Sequence, residues 1–205
     1  VERFAKFTGM STEEVLNIPN RHNFGSVANA ILRNGYPNVK DHQFYATPKE
    51  VADSITEHLT ATYSEEELSE KTMLEPSAGT GNLALLHPCY PTHSHCVEVS
   101  EIFSKVLTAK GLWTVENIDF MKFKTDISYD LVVMNPPYKQ KQLENHLEKA
   151  LTHLKDGGEL IAVVPKGKVN SIATLSGFEG LTVISTHGSA FEDTSIETAV
   201  ISIQK

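Results

Sequence analysis

The spacing of apolar and polar positions changes character near residue 47. Before it, two short stretches place apolar residues at helical intervals. Ser11-Thr12-Glu13-Glu14 opens the first like a capping box. GSVANAILRNG (25–35) forms the second, closed by Gly35. YPNVKDHQ (36–43) reads as a loop. PKEVADSITEHLTATY (48–63) then predicts an amphipathic helix with Pro48 in its first turn, and SEEELSEK (64–71) a solvated acidic connection. Five short apolar runs follow, each ending in small or polar residues: TMLEPSAGTGN (72–82), HCVEVS (95–100), LWTVENIDF (112–120), DLVVMNPPY (130–138) and ELIAVVPKG (159–167). Helical patterns at 100–111 and 141–158, both closed by glycine, lie between several of them.

Strands alternating with helices imply right-handed crossovers and a largely parallel sheet. Residues 181–205 hold two β-rich runs with no helix between them and predict an antiparallel hairpin at one edge. The expected fold class is therefore α/β, a three-layer sandwich around a mostly parallel, doubly wound sheet. Its ligands should lie at the carboxyl ends of the strands. Residues 1–43 form a helical extension in this reading and residues 44–205 the main domain.

Composition adds bounds. The chain has 205 residues, 40% apolar and 21% charged, enough for one domain with a full core. No run approaches the roughly 18 apolar residues of a membrane span, and no basic-then-apolar leader opens the chain. Two cysteines, Cys89 and Cys96, cannot make a disulfide framework, which points to a cytoplasmic setting. The first residue is Val1, so the chain reads as processed or as a piece of something longer. A net charge of −8 argues against gripping nucleic acid by electrostatics alone, though not against a local basic face.

The chemistry gathers at strand ends. LEPSAGTGNL (74–83) lacks the lysine of a phosphate-binding loop. Gly79 and Gly81 permit positive φ and close backbone approach. Glu75 beside them repels phosphate and attracts a cation. The bland reading is a tight turn. Glu98, about twenty residues after the glycines, stands where an acid accepts from ribose hydroxyls; the alternative is an exposed acid at a strand end. Asp119 and Phe120 end the third strand, suited to an exocyclic amine and a base, or in the case of Phe120 to the core. Together the three sites favour a nucleoside with a positively charged far end. S-adenosylmethionine fits, whereas the pyrophosphate of NAD fits less well.

The ordered set YATPKEVADSI (45–55), EPSAGTGN (75–82), VEVS (97–100), NIDF (117–120), DLVVMNPPY (130–138) and AFEDTSIETAVISI (190–203) resembles the S-adenosylmethionine-dependent methyltransferases that modify adenine N6 in DNA. It looks most like the class whose cofactor motifs precede NPPY. The resemblance covers residues 44–205 and implies a Rossmann-like class I methyltransferase fold in a prokaryotic or phage-type cytoplasm, with restriction-modification among the settings of such enzymes.

It further implies that the Asn135 side-chain oxygen and the Pro136 carbonyl accept the two hydrogens of the target amino group. Tyr138, and Phe191 beyond it, would stack on a flipped-out base. Thr47, Glu75, Ser77, Gly79, Gly81, Glu98, Asp119, Phe120 and Asn135 would contact the cofactor. Relatives that act alone usually carry a large target-recognition region, so the resemblance points to the first forty residues, a long inserted loop, a missing segment or a separate recognition subunit for that task, or to weak sequence specificity. The same turn also occurs in methyltransferases of RNA adenine and of protein glutamine. A non-catalytic binding module of this fold is the remaining alternative.

Lys139, Lys141, Lys166 and Lys168 follow two adjacent strand ends, facing either target phosphates or solvent. HPCYPTHSHC (87–96) is rich in histidine, but its spacing matches no zinc motif, so no metal is expected. The expected partner is adenine-containing DNA.

Overall fold

The structure is a computed structural model that describes residues 46–205, apart from 89, 140 and 189–195, together with residues 5, 11–13 and 27. The helices expected before residue 36, the 36–43 loop, Cys89 and Phe191 lie outside the described residues or are touched only at isolated positions.

A seven-stranded sheet forms the middle layer. Its strands are β1 (Met73–Pro76), β2 (Ser94–Val97), β3 (Thr114–Glu116), β4 (Tyr129–Met134), β5 (Leu154–Pro165), β6 (Thr182–His187) and β7 (Thr198–Gln204). They are ordered β3-β2-β1-β4-β5-β7-β6. β1 to β5 pair in parallel, and β7 runs antiparallel to both β5 and β6. The α/β sandwich is therefore as expected, and the order reverses between β1 and β4. That is where a doubly wound sheet opens a crevice.

Burial on both faces follows from a two-residue alternation. Met73, Leu131, Val133, Ile161, Val163 and Val200 pack toward α1 (Lys49–Thr62), with Val51, Ile55 and Leu59 opposite them. Leu74, Val132, Met134, Leu160, Ala162 and Ile201 face the other way, onto Leu143, Leu147 and Ala150. Those three residues lie on α5 (Gln142–Thr152). α4 (Glu101–Ala109) begins at Ser100, whose side chain accepts from the Phe103 amide.

Three local expectations are corrected. Residues 64–71 are not merely a solvated connection: Glu65–Glu70 form a short helix, α2. Ser64 and Glu67 close a reciprocal capping box, and Leu68 is buried. The helix expected to reach Gly158 stops at Thr152. Its glycines instead enter β5 at a register shift, where a Cβ on Gly158 would stand 3.0 Å from the Lys155 carbonyl oxygen. The terminal hairpin pairs antiparallel at one edge of the sheet, as expected. β7 inserts between β5 and β6 because Ala199, Val200, Ile201 and Ile203 are all buried, whereas β6 is half exposed. Lastly, Tyr90–His93 within the histidine-rich loop form a short helix, α3. No helix among the described residues is long and apolar enough to cross a membrane.

Candidate active site

A cleft of about 250 Å³ opens at the carboxyl ends of β1, β2 and β4. Thr47, Glu75, Ser77, Gly79, Glu98, Asp119, Phe120 and Asn135 all line it, so one space gathers residues spread over ninety positions of sequence. Gly81 is the exception among the expected cofactor residues: it does not line the cleft. With φ at +82° and an added Cβ only 2.7 Å from Leu107 Cδ2, Gly81 serves the packing of the loop against α4.

The loop is held by side chains as much as by its glycines. Ser77 adopts a φ of 67°, a left-handed conformation uncommon for serine. The Ala78 amide donates to the Val97 carbonyl (3.0 Å) and the Gly79 amide to Glu98 Oε2 (2.7 Å). Glu98 Oε1 accepts from the Ser100 amide at 2.7 Å. Glu98 is thus a buried clamp between the loop and the start of α4. Each of its oxygens keeps a second lone pair for a hydroxyl. Burial raises its pKa.

Glu75 lies deeper, accepting from the Ala84 amide at 2.6 Å, and burial pushes its pKa up to about 8. The carboxyl therefore favours its protonated form at neutral pH.

Three supports were not among the expected site residues. Asn82 Nδ2 donates to the Thr47 carbonyl at 3.0 Å, tying the entry to α1 onto the glycine loop. Lys110, only 8% exposed, donates from Nζ to the Thr80 carbonyl at 2.6 Å. Asn117 Nδ2 donates to the carbonyls of Glu98 and Val99 at 2.8 and 3.0 Å. Asn82 and Asn117 sit inside motifs already singled out. Nothing about Lys110, a helix-end lysine, signals that it turns inward.

Asn135 follows β4 directly. Its Nδ2 donates to Thr47 Oγ1 (3.3 Å) and its Oδ1 accepts from the Tyr138 hydroxyl (2.9 Å), which orients the amide with its oxygen toward Tyr138. Tyr138 packs against the core below, and burial raises its pKa. Phe120 is 3% exposed, its ring stacked with Phe123 and close to His146 and His153, so it forms a floor rather than a free face. Asp119 Oδ1 accepts from the Met121 amide at 2.9 Å.

Two of the lysines near the mouth are held by acids. Lys166 Nζ lies 2.8 Å from Glu197, and Lys168 Nζ 3.5 Å from Glu144. Lys139 and Lys141 are exposed. His87 and His93 donate to the carbonyls of Lys71 (2.6 Å) and Ser69 (2.8 Å), and no three metal-ligating side chains cluster among the described residues.

Among its described lining residues the cleft has three carboxylates and no lysine or arginine, so it suits a cationic nucleoside and disfavours a polyphosphate. Strand order and donor set define a class I S-adenosylmethionine-dependent methyltransferase, with S-adenosylmethionine as cofactor. The sequence matches the methyltransferase small domain family over residues 49–188, and the chain belongs to that family.

Solved structures share the fold. A proposed RNA methyltransferase from Pyrococcus horikoshii superposes with a TM-score of 0.64 at 23% identity, over 82% of this chain and 88% of that one. Magnesium protoporphyrin IX methyltransferase from Synechocystis PCC 6803, with bound S-adenosylmethionine, gives 0.58 at 13% identity, over 76% and 79%. TrmN from Thermus thermophilus gives 0.53 at 17%, over 76% of this chain and 48% of that one. No curated protein sequence matches the chain.

Proposed function

We propose that this protein transfers a methyl group to the exocyclic N6 amino group of adenine in DNA. The observation that carries the reading is the setting of Asn135. Two prolines follow it, it lines the cofactor cleft, and Thr47 engages its amide nitrogen so that its oxygen is the acceptor on offer.

Bound S-adenosylmethionine supplies the electrophilic methyl group. The chain's own part is to raise the nucleophilicity of an aromatic amine, whose lone pair is delocalised into the ring. Asn135 Oδ1 and the Pro136 carbonyl accept its two hydrogens and draw the nitrogen toward tetrahedral geometry. The prolines fix φ at both positions, holding the acceptors in place. Glu98 and Asp119 hold the cofactor's ribose and base, and Glu75 draws its cationic end. Tyr138 stacks on the flipped base once its hydroxyl leaves Asn135. DNA recognition falls to the region before residue 46, to a further segment or to a partner subunit.

RNA adenine is the second reading, favoured by the proposed RNA methyltransferase among the structural neighbours. The test is transfer of label from radioactive S-adenosylmethionine to unmethylated duplex DNA, single-stranded DNA, RNA and a protein extract, with Asn135→Ala alongside. N6-methyladenine in DNA, absent with Asn135→Ala, is the expected result. Label in RNA or protein alone overturns the DNA assignment.

A further inference from the structure

His146 lines the same cleft from the second turn of α5 and has no part in the roles assigned above. It is 7% exposed, and its ring centroid lies 5.7 Å from that of Phe120, directly after Asp119 in the chain. Its Nδ1 lies 2.8 Å from the Gln142 carbonyl oxygen, so Nδ1 carries the proton and donates. That bond fixes the tautomer and leaves Nε2 as an acceptor. Burial lowers the pKa of the ring, which keeps it neutral and Nε2 unprotonated. Nε2 of His153 is sealed in protein without a hydrogen-bond partner, whereas Nε2 of His146 is not sealed in this way. The ring that carries this acceptor lines the cleft.

Asp119 lines the same cleft, with Oδ1 bound to the Met121 amide and Oδ2 remaining. Asp119 directly precedes Phe120 and the His146 ring stands 5.7 Å from it, so acceptors from two elements, the β3–β4 connection and α5, border one cleft-lining ring. An exocyclic amino group has two hydrogens and needs two such acceptors. An oxo group in its place would meet lone pairs from both sides.

We propose that His146 is a cofactor-specificity residue, accepting the second N6 hydrogen of the cofactor's adenine opposite Asp119. The inference rests on the cofactor assignment of the cleft and is independent of which macromolecule is methylated.

Calorimetric binding of S-adenosylhomocysteine and of S-inosylhomocysteine, which has oxygen at the 6-position, tests it without turnover. The wild type should prefer the adenosyl compound. His146→Phe keeps an aromatic ring beside Phe120 and should lose about tenfold in affinity for the adenosyl compound, the worth of one hydrogen bond, with little change for the inosyl one. His146→Gln, which retains an acceptor, should recover most of the preference. Equal losses for both compounds in His146→Phe and His146→Gln would make the residue structural and overturn the proposal, as would unchanged affinity in both. Wild-type protein that binds neither compound overturns the cofactor assignment of the cleft, and the proposal with it. Thermal melts of the same samples separate a folding defect from lost recognition, and His146→Leu serves if His146→Phe does not fold.

Discussion

The Tyr138 hydroxyl donates to the Asn135 side-chain oxygen at 2.9 Å, so the acceptor proposed for the target amine is held by the protein's own phenol. The same hydroxyl lies 3.3 Å from the Val163 carbonyl, a second acceptor to which it can turn when Asn135 is needed. An amine entering the site competes with this hydroxyl for the Asn135 oxygen.

Tyr138→Phe keeps the ring for stacking and frees the acceptor. Its kcat/KM for methylation should rise severalfold, by no more than about tenfold, the worth of one hydrogen bond. Tyr138→Ala should lose about 1–3 kcal/mol of base stacking and fall well below the wild type. Steady-state kinetics on the acceptor identified by labelling checks both. A Tyr138→Phe enzyme slower than the wild type would show that the hydroxyl assists rather than competes.

Glu75 couples cofactor binding to a proton. Its carboxyl titrates near 4.5 when unperturbed and at about 8 in the folded, cofactor-free protein. Between those values the native state holds a proton that the unfolded chain does not. Its contribution to stability is therefore greatest below about pH 4.5 and is lost as pH rises through about 8. A cation at this carboxyl expels the proton. Binding of S-adenosylhomocysteine at pH 7 should release close to one proton, read as a calorimetric enthalpy that varies with the ionisation enthalpy of the buffer. Glu75→Gln should abolish that dependence and weaken binding. It should also raise the melting temperature of the free protein at pH 8 and above.

Gly81→Ala separates loop packing from cofactor contact. The new methyl meets Leu107 Cδ2 at 2.7 Å while φ is +82°, for a cost of about 1–3 kcal/mol. Melting should fall by several degrees. Affinity for S-adenosylhomocysteine, measured well below the melting point, should change by less than about tenfold because the residue does not line the cleft.

Glu159, 1% exposed in β5, is a structural counterpart to the site acids. It accepts from His58 Nε2 (2.7 Å), the Tyr63 hydroxyl (2.8 Å) and the Ser202 hydroxyl, joining α1 to β5 and β7. Glu159→Ala leaves three donors facing an apolar gap and should destabilise by about 3 kcal/mol in chemical denaturation. Turnover per folded molecule should be unchanged.

Residues near in sequence set most of the sheet. Apolar runs flanked by polar turns and alternating with helices bury both faces in a parallel sheet covered by those helices. That is why the strands, the α/β class and the placing of Glu75, Glu98, Asp119 and Asn135 at neighbouring strand ends were legible from order alone. The glycine loop was legible too, because positive φ is a local property.

Tertiary structure decided what depends on which faces meet. β7 lies inside the sheet because its buried residues need cover on both sides, a fact about its neighbours rather than its own alternation. Gly81 belongs to the packing of α4 because Leu107 happens to stand over it. Lys110 turns inward to Thr80, and His146 turns its ring to the cleft, although each looks like an ordinary helical polar residue. Local spacing and residue type set the elements, their class and the chemistry available at each strand end. Only the folded structure decided which acceptors converge and which donors already occupy them, since a hydrogen-bond partner far along the chain is chosen by packing.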